Sequence, residues 1–97
     1  MPRTTGEYSL AIVEFALTFD GYAHYPAPTV LKFAEKAQLR YAADGTLPRS
    51  LDRLRACLFV QQRGWRETGD PDAKSLLFIM ALVDRMRQLV QRRAGSA

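Results

Sequence analysis

Three breaks built on glycine, at Asp20-Gly21, Asp44-Gly45 and Gly69-Asp70-Pro71, divide this chain into four stretches. In each stretch the apolar residues return mostly at intervals of three and four. That spacing gathers them on one face of a helix, whereas a half-buried strand would alternate every second residue, and no run here alternates for long enough. The connections are short, so successive helices lie beside one another. The sequence therefore predicts an all-α fold: a compact, antiparallel, bundle-like four-helix domain with helices near 7–19, 28–43, 49–67 and 71–93. It shows no repeat, low-complexity tract or linker that would split it, so 1–97 reads as one domain with 1–6 and 94–97 frayed.

In the first helix Tyr8, Ile12, Phe15 and Phe19 form the stripe, and Leu10, Val13 and Leu17 widen it nearly all round, which is the pattern of a central helix. Pro28 suits the first turn of the second, whose face is Val30, Phe33, Ala34, Ala37 and Tyr41. The third begins near Pro48 or Ser50, carries Leu51, Leu54, Leu58 and Trp65, and ends before Gly69. The fourth has the sharpest start, with Asp70 as N-cap, Pro71 at the first helical position and Asp72 near the positive end of the helix dipole. Leu76, Leu77, Ile79, Met80, Val83, Met86, Leu89 and Val90 make its apolar face, and Arg92-Arg93 places positive charge at its C-terminus.

Several functions are excluded by what the chain lacks. At 97 residues and 11.0 kDa it can bury about 65% of its extended surface. With 47% hydrophobic and 25% charged residues it lies outside the composition of disordered chains. Cys57 has no cysteine partner and sits between apolar neighbours, which predicts a buried thiol in a reducing, cytoplasmic setting. No small-residue cleavage site follows the first apolar stretch, which Glu14 interrupts, and no run is long enough to cross a membrane. One histidine, one cysteine and singly placed glycines supply neither a zinc or di-iron ligand set nor a phosphate loop, so no metal or cofactor is expected.

The loop between the first two helices holds the best collection of acid–base groups, Asp20, Tyr22, His24 and Tyr25. Asp20 could orient His24 as a base, but it serves equally as a helix stop, and the tyrosines serve as lids on the core. No complete catalytic set can be named, so an enzyme centred here is the weakest of three readings.

Charge is distributed more tellingly. The net charge is −2 over 1–31, +5 over 32–66, −3 over 67–84 and +4 over 85–97. Lys32, Lys36 and Arg40 form a stripe one turn apart, and Arg53, Arg55 and Arg63 follow on the third helix beside Arg49 and Arg66. If the two faces adjoin, they form a basic patch able to neutralise nucleic-acid phosphates, although Glu35 and Asp52 stand among the cations and a merely solvated face has the same composition. A helix-turn-helix fits poorly, because Arg40 and Tyr41 occupy packing positions and Pro48 widens the turn.

A different surface is suggested by Gln62, Arg63, Trp65 and Arg66, residue types enriched where proteins dock. The alternative is that Trp65 closes the end of the bundle while Gly64 lets a helix approach closely. The broad stripe of the fourth helix suggests a homo-oligomer formed through it and the first helix. The leading expectation is thus a non-catalytic interaction module that self-associates and docks a protein partner, with a nucleic-acid-binding subunit as its alternative.

Overall fold

The computed structural model describes residues 10–18, 28–69 and 71–95. Four helices run in order: α1 Leu10–Leu17, α2 Pro28–Asp44, α3 Leu51–Thr68 and α4 Ala73–Gly95, with no strand among the described residues. The all-α four-helix expectation holds. Residues 7–9 and 19 of the expected first helix lie outside the described residues.

Four of the helix boundaries have a plain local cause. Ser50 is extended (φ −91°, ψ 148°) and its Oγ accepts from the N–H of Arg53 at 3.2 Å, satisfying one of the donors that the first turn of α3 would otherwise leave open. At the far end of α2, Gly45 takes φ +79° and donates its N–H to the Tyr41 carbonyl at 2.8 Å, and Gly69 (φ +95°) does the same to Trp65 at 2.9 Å. Residues with a Cβ are strained at such angles, which is why glycine ends both helices. The start of α4 lies two residues later than the sequence suggests. Asp72, rather than Asp70, is the cap: its Oδ1 accepts from the N–H of Ser75 at 2.7 Å and its carbonyl from Leu76 at 2.9 Å. An Asp three residues before a free N–H caps it wherever the chain turns, and Asp72 is the later of two such candidates.

The central helix is α3, not α1. It packs on all three others, and α4 does likewise, so α3 and α4 form an inner pair on which α1 and α2 each rest without packing extensively on one another. One core joins them, with Val13, Ala16 and Leu17 from α1, Ala34 from α2, Leu51, Leu54, Cys57, Leu58 and Trp65 from α3, and Phe78, Ile79, Leu82, Val83 and Met86 from α4. The Cα radius of gyration, 12.9 Å, is close to the roughly 12.5 Å of a compact chain this long. In α1 the buried face runs through Val13, Ala16 and Leu17, and Phe15, expected inside, is 65% exposed. No helix among the described residues is long and apolar enough to cross a membrane.

Candidate functional site

The turn that ends α2 builds the most distinctive feature of the surface. Asp44 Oδ1 accepts from the N–H of Thr46 at 2.9 Å, and together with the positive φ of Gly45 this reverses the chain sharply. Thr46, Leu47 and Pro48 are thereby laid beside the middle of α2, from Phe33 to Arg40, and the first turn of α3. Between them opens a cleft of about 270 Å³. Phe33, Leu47 and Pro48 give it an apolar lining, and Lys36, Arg40 and Arg53 are its charged members.

These three cations converge for reasons of spacing. Lys36 and Arg40 are four residues apart, one above the other on the exposed side of α2. Arg53 comes from α3, where its guanidinium carbon stands 5.9 Å from the centroid of the Phe33 ring, at the reach of a cation–π contact. Among the described residues no carboxylate lines the cleft. Asp44 lies near Arg40; its carboxyl is held below the usual range by hydrogen bonding to the Thr46 side chain and backbone, with the Arg40 charge adding to this. Glu35 and Asp52 are exposed and outside the lining, and Asp52 accepts from Arg55 Nη1 at 3.3 Å.

The structure thus brings together Lys36, Arg40 and Arg53 of the six residues of the basic patch. Lys32 is exposed one turn before Lys36, outside the cleft lining. Arg63 is exposed too, but ten residues beyond Arg53, about 15 Å along the helix and on another face. Arg55 has to be removed from the patch. It is 3% exposed, because its position on α3 falls between the buried residues Leu54 and Ala56 at the level where α3 is enclosed by its neighbours.

The docking surface around Trp65 is corrected more severely. Trp65 is 7% exposed and belongs to the core, and Gln62 is buried beside it, so neither offers a side chain to a partner. Arg63 and Arg66 remain outside, but Arg66 is committed to α1: its Nε donates to Glu14 Oε1 at 2.9 Å and its Nη2 reaches the same oxygen. Nor does Gly64 serve close helix approach, since a Cβ placed there would meet nothing within 4 Å.

Asp20, Tyr22, His24 and Tyr25 lie outside the described residues. Cys57 is fully buried, and burial pushes its thiol up to about 11, the opposite of what a nucleophile needs. Among the described residues no three His, Cys, Asp or Glu side chains gather as a metal site would require.

Two features had no signal in the sequence reading. Gln61 Nε2 donates to Gln38 Oε1 at 3.0 Å and Gln38 Nε2 donates to Ser75 Oγ at 3.3 Å, a polar chain that joins α3, α2 and α4. Beside it a groove of about 560 Å³ runs between α2 and α4, lined by Leu39, Tyr41, Ala42, Leu77 and Phe78 among others. Leu39 is 72% and Leu77 58% exposed. No family model, curated protein or solved structure matches this chain, so the meaning of the cleft has to be drawn from its own residues.

Proposed function

We propose that this chain is a non-catalytic binding module that contacts nucleic-acid phosphates through the cleft at the α2–α3 corner. The observation that carries the reading is the convergence of Lys36, Arg40 and Arg53, from two helices, on one cavity that no carboxylate lines among the described residues. Cations so placed lower the cost of bringing a polyanion close and release its counterions, the dominant sequence-independent part of nucleic-acid affinity. The net charge of +4 favours the same encounter. The lone buried thiol of Cys57 suits a reducing, cytoplasmic setting, which we propose for it.

The test is binding of labelled single strands and duplexes by fluorescence anisotropy across a salt series. Two to three phosphate contacts predict a slope of log K against log salt of about −1.4 to −2.7. Lys36→Glu with Arg40→Glu should weaken binding to every sequence and flatten that slope by about 2. A double variant that binds as the parent does ends the assignment to this cleft.

Self-association is a second reading, and the observation favouring it is the exposure of Leu39 and Leu77 on the α2–α4 groove. It moves the expected interface from α4 with α1 to α4 with α2. Sedimentation equilibrium checks it: Leu39→Glu or Leu77→Glu should convert a dimer to a monomer, and a parent that is already monomeric removes it.

A further inference from the structure

We infer that the cleft receives an unstacked base of a single-stranded nucleic acid, with the adjoining phosphates on Lys36 and Arg40; this rests on the phosphate-binding reading above. A phosphate needs only cations and hydrogen-bond donors. This cavity has, besides its cations, a lining of Phe33, Leu47 and Pro48, and apolar walls suit the face of a flat ring, whose polar edge can stay toward solvent, better than a hydrated anion. Its volume of about 270 Å³ lies just below the range of about 300–1,000 Å³ found for drug-sized ligands, a size that suits one heterocycle.

Arg53 adds the stacking surface. Its guanidinium carbon stands over the Phe33 ring at 5.9 Å, within reach of a cation–π contact, and a planar, weakly hydrated cation at the mouth of the cleft is a surface on which a flat group can stack. The site so formed has the two parts of a single-strand binder, a cationic rim for the backbone and a stacking platform for the base. A duplex uses the second part only at the cost of unstacking, because both faces of every internal base pair are covered by its neighbours. It would engage Lys36 and Arg40 and leave the apolar interior empty of any base.

Three labelled probes separate these contributions: an oligothymidylate twelve-mer, an abasic strand with the same number of phosphates, and a duplex of equal length, each measured by anisotropy at about 50 mM and about 200 mM salt. The full-length protein should bind the thymidylate strand about tenfold more tightly than either of the others. Arg53→Lys keeps the charge and loses the planar face, so it should retain abasic-strand affinity and lose that tenfold preference. Lys36→Glu with Arg40→Glu should weaken all three probes together.

Equal affinity for thymidylate and abasic strands, with salt dependence intact, overturns base uptake and leaves the phosphate reading standing. A tenfold preference that survives Arg53→Lys overturns the platform assigned to Arg53. Absence of salt-sensitive binding to all three probes overturns both this inference and the proposed function.

Discussion

The Tyr41 ring stands 5.6 Å from the ring of Phe78, tilted by 43°, which keys the end of α2 to the beginning of α4. Offset, tilted rings at this distance gain from the opposed charges of ring face and ring edge, beyond the area they bury. Phe78 is fully buried, so Phe78→Ala leaves a cavity and should cost about 3–5 kcal/mol in urea unfolding. Phe78→Leu, which refills most of the volume, should cost appreciably less.

Trp65 and Arg66 are adjacent and should behave oppositely. Trp65→Ala removes a core side chain and should lower stability by about 3–5 kcal/mol, with helical circular dichroism lost at a lower temperature. Arg66→Ala breaks only a half-exposed ion pair with Glu14, and such pairs contribute at most about 1 kcal/mol. A stable, fully helical Trp65→Ala protein would place this side chain outside the core.

How far the sequence could be read differs from element to element, and the reasons are physical. Gly45 and Gly69 were readable as helix ends because a positive φ has few residues to choose from. The burial of Cys57 was equally plain from its apolar neighbours. The buried face of α1 was not, since apolar residues surround nearly the whole helix and period alone cannot choose between Phe15 and Ala16. Phe78 and Leu82, among the most buried residues of α4, escaped for the same reason. Trp65 and Arg55 misled in the same direction: their side chains suit a surface, and only the enclosure of α3 on three sides brings them in. Convergence of Lys36 and Arg40 with Arg53 required knowing how the 45–50 connection turns, which local spacing does not contain.

Acid should loosen the start of α4 and the end of α2. Asp72 is held below the ordinary carboxylate range chiefly by the Ser75 N–H, then by the Ser75 side chain, and Asp44 by its bonds to Thr46. Groups with a folded pKa below the unfolded value stabilise above the unfolded pKa, near 4, and lose that contribution as pH falls through the lowered value. Unfolding midpoints should therefore drop below about pH 4. Asp72→Asn keeps a capping acceptor without titrating, so its acid limb should be shallower than the parent's.

Cys57 should resist alkylation in the folded protein at pH 8 and react on unfolding. With its thiol pushed up to about 11 from 9.0, the neutral form is favoured in the fold. Stability from this group is complete below pH 9.0 and declines as pH rises toward 11. Rapid labelling of native protein by iodoacetamide would contradict the burial.

The chain of bonds from Gln61 through Gln38 to Ser75 works like a key cut for one alignment. Leucine and valine faces accept neighbours displaced along a helix with little loss, because apolar contact has no direction. Two amides and a hydroxyl do not, since a slip of one turn, about 5.4 Å, carries donor out of reach of acceptor. In the register that α2, α3 and α4 adopt, all three polar groups find each other. A slip of α2 along α3 would carry Lys36 and Arg40 past Arg53 as well, so the polar chain and the cleft depend on one and the same alignment.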